Sequence, residues 1–546
     1  MHVILVIDMA LDLHRHHRAS ITLERARSLI DSGLSEDAVH LLTDSLAIDP
    51  NQKPAWHLLF ECSISIGRLD NLLQLIEQTI SNIDNPEDTL LMMARHMQLH
   101  GFFEDASRTF DTILAAEPTA RQSFEEKLLH RLLNGHGDED GFAAYKEFNT
   151  RFAQPIAATS DQAETEKDPK RPLNIGFVSR DFASGHSLKW AMAAWFDRPE
   201  GRMDRYILYS SSVPDQPVEP FFEKAADDFI QVYDLSDEAL ADRIRNDKID
   251  VLIDLMGHMP GNRLMTYARK PAPIILSWMG LGTASGIDAV DYFVADPVYV
   301  LPETVDCYVE NIIHFDGAGI IWRPPANCPD VAPAPCLAKD EISFCNLNRT
   351  VKLQDPALHL FAKVLLAVPN ATMTFKDMRM DSRAEHRLSA PLLAAGVAAE
   401  RINFLGKSSQ YDHMATYNQT DIALDGFPQQ GGISSLEALW MGNPVISYSE
   451  TLRPTTRAGA WILEMIGLPA LATGSEAAYV ATAVRLAANR QRLADLRPRL
   501  RDAVMNSPLC DRERFTENVG QMLNEIWRRY CADEAPSSFA ISNLTQ

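Results

Sequence analysis

Residues 429–437 read QQGGISSLE and stand between a short apolar run, IALDG, and a helix-like stretch, SSLEALWMG. Strand, glycine pair and helix in that order predict a turn at the ligand-binding edge of a parallel sheet. Gly431 and Gly432 lack a Cβ, which lets the backbone approach a bound group closely. Ser434 and Ser435 are read as caps of a helix whose free N–H groups suit an anion, most often a phosphate. Glu437, read in the first helical turn, can accept hydrogen bonds from a vicinal diol such as a ribose. Together these residues describe a cradle for a sugar-nucleotide diphosphate. The plainer alternative is a tight turn with capping serines and a solvated acid.

Two more segments favour the cradle. In SFCNLNRTVKLQDP a strand runs directly into Asn346, Asn348, Arg349 and Lys352. Lys352 is placed to neutralise a departing diphosphate. His413, in QYDHMATYNQTDIALD, follows the INFLG run and is positioned for a base or a ribose. Nearer the start, VLIDLMGHMPGNR puts His258 just past a strand, where an imidazole can take a proton from an acceptor hydroxyl near neutrality. Asn262 and Arg263 would position that acceptor, and His186, in SRDFASGHSLKW, is a second candidate. For both histidines the alternative is a buried or capping ring. Asp288 and Asp291 are read as structural, Asp138–Asp140 as a surface turn, and HRHHR at 14–18 as a solvated basic segment, so no metal is expected.

These groups need a scaffold. Glycines Gly33, Gly67 and Gly101 recur every 34 residues, within GLSEDAVHLL, GRLDNLLQLI and GFFEDASRTF. Pro50 and Pro118 each follow their glycine by 17 residues, Trp56 opens the second unit, and Ala38 and Ala106 fill a small packing position. The period predicts about three tetratricopeptide-like helix pairs over roughly residues 20–120. After a polar stretch, AATSDQAETEKDPKRP, short β-rich runs alternate with helical stretches: NIGFVS, YILYSS, FIQVYDL, VLIDLMG, IILSWMG and YFVADP. A proline-rich crossing, Trp322 to Cys336, precedes a second series, ISFCNLN, TMTFKD, INFLG, IALDG and PVISYS. The expected fold is an α-helical repeat region followed by two Rossmann-like α/β domains facing a cleft. The expected boundaries are 1–150 for the repeats, 151–170 for a linker, 171–335 and 336–535 for the two α/β domains, and 536–546 for a tail.

The chain has 546 residues, 74 acidic against 51 basic side chains, and a formal net charge of −23, which argues against nucleic acid or an anionic membrane as the main partner. Seven scattered cysteines without a CxxC pair, and an opening stretch without a basic n-region, predict a cytoplasmic protein.

LDGFPQQGGISSLEALWMGNPVI, CNLNRTVKLQDP, IDLMGHMPGNRLMTYARKPAPI and SWMGLGTASGIDAVDY together resemble glycosyltransferase family 41, the family of protein O-GlcNAc transferase and the SPINDLY-type enzymes. The resemblance covers roughly residues 170–530 and the repeats. It implies a GT-B core that transfers a sugar, with inversion and without a metal, from a nucleotide-sugar to a protein hydroxyl. It also implies a protein client held by the repeats. Flagellin is the client suggested by analogy with bacteria. By the same resemblance Lys352 is the diphosphate lysine, His413 lies near the base, Gly432–Ser435 form the phosphate loop and Glu437 meets the ribose. Departures fall at Gly432, Ile433 and Ser434, where O-GlcNAc transferase has a histidine and two threonines. Gln410 and Arg349 replace its base-contacting lysine and a glutamine. A non-protein acceptor and a catalytically retired repeat scaffold are the alternatives.

Overall fold

The computed structural model describes residues 2–544 apart from 67–68, 80–81, 85, 135–139, 161–162, 185, 187, 198–202, 281 and 450–455. It divides into two compact units, Met1–Lys127 and Leu128–Gln546.

The first unit is helical: α1 (His2–Asp31), α2 (Ser35–Ile48), α3 (Lys53–Ser65), α4 (Leu69–Thr79), α5 (Pro86–Leu99) and α6 (Phe103–Ala116). Its repeat has a local cause. Gly33 and Gly101 both take left-handed backbone, with φ of +77° and +86°. At each, the next residue's N–H returns to a carbonyl five residues earlier, Leu34 to Leu29 at 2.9 Å and Phe102 to Met97 at 2.8 Å, which closes the helix. The Glu-Asp pair that follows opens α2 and α6, where the helix dipole favours acids. Ala38, Ala106 and Trp56 are fully buried, and the Trp56 indole N–H donates to the Pro50 carbonyl at 2.8 Å. Gly67 lies outside the described residues, as do residues 138 and 139 of the Asp138–Asp140 turn.

The second unit carries two all-parallel sheets. β1 (Asn174–Ser179), β2 (Arg205–Ser210), β3 (Asp228–Gln231), β4 (Val251–Asp254), β5 (Ile274–Ser277), β6 (Tyr292–Ala295) and β7 (Asn311–His314) build the first, in the order β7-β6-β5-β4-β1-β2-β3. β8 (Ile342–Asn346), β9 (Ala371–Lys376), β10 (Ile402–Leu405), β11 (Ile422–Leu424), β12 (Val445–Tyr448) and β13 (Ala472–Thr473) build the second, in the order β10-β9-β8-β11-β12-β13. β14 (Phe539–Ala540) pairs with β7 and so joins the first sheet. The central strands β1, β4 and β5 are buried almost end to end, as strands covered on both faces must be.

The boundaries differ from the expected ones in three places, the first being the end of the helical unit at Lys127 rather than at residue 150. Residues 536–546 are not a free tail: β14 extends the first sheet, and the helix Arg512–Cys531 buries Phe515, Val519, Met522, Leu523, Ile526 and Trp527 in that sheet's core. The segment 151–170 is not a loose linker. It begins helically through Ala157, and its later part is strapped down. There the Arg171 guanidinium grips both oxygens of Asp250 at 2.8 and 2.5 Å, and the Trp527 indole donates to the Asp168 carbonyl at 2.9 Å.

The two sheets share one packed boundary. A continuous core runs from Phe293, Tyr299 and Tyr308 on the first side into the second sheet. The Trp461 indole N–H donates to the Asp296 carboxylate at 3.0 Å, and Arg457 donates to the Val298 carbonyl at 2.5 Å. Among the described residues no helix is long and apolar enough to cross a membrane, and all seven cysteines are free thiols.

Candidate active site

The loop from Asp425 to Gly432 joins β11 to the helix Ile433–Trp440. Its shape is set by Asp425, at the carboxyl end of β11. One carboxylate oxygen accepts from the Gly431 N–H at 2.8 Å and from the Asn348 amide at 3.4 Å, and the other accepts from the Ser447 hydroxyl at 3.1 Å. Gln430 pins the loop from the other side, donating to the Tyr448 carbonyl and accepting from the Gly459 N–H, each at 2.6 Å. A Cβ on Gly431 would lie 2.3 Å from the Ser435 hydroxyl oxygen and 2.8 Å from that of Ser434, so that position must be glycine. A Cβ on Gly432 meets nothing within 4 Å. Only the second glycine opens the loop.

The helix begins at Ile433 with Gly432 as its N-cap residue, and no side chain caps it. Ser434 and Ser435 are therefore not caps. The Ser434 hydroxyl instead donates to the Asn348 side-chain oxygen, tying the loop to the segment after β8. The Ser435 and Leu436 N–H groups donate to the Gly432 carbonyl, each at 3.1 Å, and without a side-chain cap the N–H groups ahead of them suit an anion.

Lys352 reaches this point from the other strand. It ends the short turn Thr350–Lys352 after β8, and its ammonium donates to the Gln430 carbonyl at 3.4 Å. Burial, and then the charge of Arg349, push its pKa down to about 8, against the pull of Asp425. Burial pushes Asp425 up to about 6, although the Gly431 N–H, the Ser447 hydroxyl and Lys352 all favour its charged form. Two adjacent cations facing one acid leave positive charge in excess, which suits a bound polyanion.

Glu437 sits one turn further into the helix than the sequence reading placed it, outside the first turn. Its carboxylate faces His413 Nε2 at 3.3 Å and accepts from the Gln410 amide at 3.2 Å. The Tyr417 hydroxyl donates to the Ser434 carbonyl at 3.0 Å and joins this cluster to the loop. Lys352, Asn348, Gly431, Gly432, Ser434, Ser435, Glu437 and His413 thus gather around one loop, with Arg349 as the neighbouring charge.

The first sheet's histidines are sorted differently. His258 is 5% exposed, packed between Tyr145 and Phe148 with both ring centroids at 4.8 Å. Its Nε2 donates to the Ser285 carbonyl at 2.7 Å, and its Nδ1 is buried without a hydrogen-bond partner among the described residues. Burial pushes its pKa down to about 4. An imidazole so enclosed offers no exposed nitrogen to an acceptor hydroxyl, which weighs against the expected general base. The helix Asp140–Phe148, which closes over it, carried no such signal in sequence. His186 keeps 45% of its side chain exposed, with Nε2 3.7 Å from an Asp181 oxygen and Nδ1 accepting from the Leu188 N–H at 3.3 Å. Arg263 is also corrected: it donates to the Leu235 and Val232 carbonyls at 2.8 and 2.7 Å, and so braces the fold. Asn262 donates to the Met259 carbonyl and accepts from the Leu264 N–H, each at 3.1 Å, and shapes its own loop. Asp288 and Asp291 are structural as expected, held to Gln154 and Lys270.

Asp425 and Gln430 were missed as organisers of the loop. The available signal for Asp425 was its place as the polar residue ending the apolar run IALD.

Two parallel α/β sheets, packed together and bearing an open glycine loop beside a lysine, define a GT-B fold. The sequence matches the family described as Glycosyl transferase family 41 over residues 154–321 and 334–519. The chain belongs to that family. It is 30% identical over 438 residues to the probable UDP-N-acetylglucosamine–peptide N-acetylglucosaminyltransferase SPINDLY of Oryza sativa subsp. japonica, covering 79% of this chain and 47% of that protein. The Solanum lycopersicum protein of the same description is 29% identical over 441 residues, with the same two coverages. The chain spans about half the length of the curated relatives it matches. Among solved structures, a mutant O-GlcNAc transferase from Thermobaculum terrenum superposes with a TM-score of 0.79 at 25% identity, covering 95% of this chain and 99% of that one.

Proposed function

We propose that this chain is an inverting protein O-glycosyltransferase, moving a sugar from a nucleotide-diphosphate donor to a serine or threonine hydroxyl. The observation that carries the reading is the approach of the Lys352 ammonium to the Gln430 carbonyl, beside a helix N-terminus with no side-chain cap. The diphosphate binds there, and the Gln410–Glu437–His413 cluster takes the nucleoside. As the bond from the anomeric carbon to the diphosphate breaks, charge builds on the leaving oxygen, which Lys352 and the first-turn N–H groups stabilise. The acceptor oxygen attacks from the opposite face and gives up its proton. His186, the exposed imidazole, is the group we place beside that hydroxyl.

The matched relatives are described by name as acting with UDP-N-acetylglucosamine on peptides, which makes that donor and a protein acceptor the first to assay. Gln410 and Gly432–Ser434 depart from the O-GlcNAc transferase pattern, so the panel includes GDP- and CMP-sugars. The repeats are assigned to holding the client, with flagellin tested first by analogy, and seven free thiols fit a reducing cytoplasm. A thermal-shift panel of the sugar nucleotides, followed by mass spectrometry of the client, tests the reading. One donor that stabilises the protein and labels the client is expected. Donor binding without any turnover of the sugar nucleotide would replace the enzyme with a repeat scaffold, and turnover without protein labelling would point to a non-protein acceptor.

A further inference from the structure

Four polar side chains that the transfer chemistry does not use meet between two helices of the repeat unit. His57 and Glu61 stand four residues apart on α3; His96 lies in the last turn of α5, and His100 follows just past its end at Leu99. Residues at that spacing share one face of a helix. The two faces meet: His57 Nδ1 and His96 Nδ1 are 3.1 Å apart, and His100 Nε2 is 3.6 Å from a Glu61 oxygen. Ligand atoms of His57, Glu61 and His96 all lie within 4.8 Å of one another. We propose that His57, Glu61 and His96, with His100 beside the glutamate, form a binding site for a single divalent transition-metal ion, zinc by preference, which staples two successive repeats.

The geometry suits the ion. Two imidazole nitrogens on one tetrahedral zinc, each at about 2.0–2.1 Å, stand about 3.3 Å from each other, close to the separation found here. Two imidazole nitrogens and one carboxylate form a donor set that imidazole-preferring ions such as zinc accept and that calcium or magnesium does not. Phe60 covers one side, with ring centroids 5.7 Å from His96 and 6.1 Å from His100.

α3 and α5 are the first helices of neighbouring repeats, and repeat arrays hold together through such nearest-neighbour contacts. An ion bound across them adds stability only while both helices are in place. The proposal does not depend on the transfer reaction, and its readout is binding.

The test uses the full chain, stripped with a chelator and dialysed against zinc alone. One zinc retained per chain is expected, with the thermal transition raised by several degrees. Glu61→Gln, at a partly exposed position, and His96→Gln should each weaken zinc binding by about tenfold or more with helix content unchanged by circular dichroism. A triple His14→Ala, His16→Ala, His17→Ala variant should bind as the parent does. With cobalt in place of zinc, a tetrahedral spectrum without sulfur-to-metal charge transfer is expected. Zinc binding that survives Glu61→Gln and His96→Gln, disappears with the triple variant, or shows the sulfur band overturns the site, as does a chain that retains no zinc.

Discussion

Two loops of the α/β unit are built on one plan and end with opposite exposure. Each follows a central strand, β4 or β11, and each is anchored by an aspartate at the strand's carboxyl end. Asp254 accepts the Met256 and Gly257 N–H groups at 3.1 and 2.9 Å, much as Asp425 accepts that of Gly431. Burial raises the pKa of both. After β4 the chain then covers its own loop, setting Tyr145 and Phe148 over His258. After β11 it leaves Gly432 bare and brings a cation alongside. The plan fixes a loop's shape, and what packs on the loop decides whether it can meet a ligand.

Exchanging histidines between the two sides breaks that contrast most strongly. His186→Ala should lower turnover by about 10²-fold or more in a steady-state assay, as loss of an acid–base group does. His258→Gln should lower the melting temperature and leave turnover within about threefold, since a buried ring contributes packing. Equal loss of turnover in both would restore His258 to the chemistry. Next in size, Lys352→Ala should reduce kcat/KM by about 10²–10³-fold, the usual cost of one preorganised donor to a developing anion.

Acidity sharpens the contrast further. The Lys352 pKa is depressed to about 8, so the free protein loses this charge as pH rises through that value. Nucleotide-diphosphate affinity measured by calorimetry should therefore fall above about pH 8, by at most about tenfold per pH unit, and Lys352→Arg should flatten the profile. Over the same rise the stability of the free chain should increase, because its unfolded state still holds a proton that the folded state has released. The smallest effects separate the glycines. Gly431→Ala should cost about 1–3 kcal/mol in chemical denaturation through overpacking. Gly432→Val should leave stability unchanged and weaken donor binding by about tenfold, a loss of about 1.4 kcal/mol.

Most of the architecture was legible because periodicity reports burial. The 34-residue glycine period marked the helix pairs, and the eleven apolar runs each became a strand, NIGFVS residue for residue. β7, β13 and β14 were not read: β13 and β14 have two residues each, and β14 pairs with β7 far back in the sequence. The glycine-loop side was legible because its residues follow strands directly, as Asn348 and Lys352 do after β8. What escaped was whatever long-range packing decides. VLIDLMGHMPGNR gives no sign that Tyr145, more than a hundred residues earlier, covers its histidine. The serines failed as caps for a nearer reason: the helix starts at Ile433, one residue ahead of them, and Asn348 accepts the Ser434 hydroxyl.

The return of Arg512–Cys531 and β14 to the first sheet bears on how the polypeptide is made. A ribosome that has already delivered β1 to β7 must synthesise roughly two hundred further residues before the hydrophobic cover of that sheet exists. Until then its apolar face waits unprotected, a natural client for chaperones during translation. A premature stop between β13 and Arg512 would leave the second sheet fully encoded and still yield a protein that cannot finish its first.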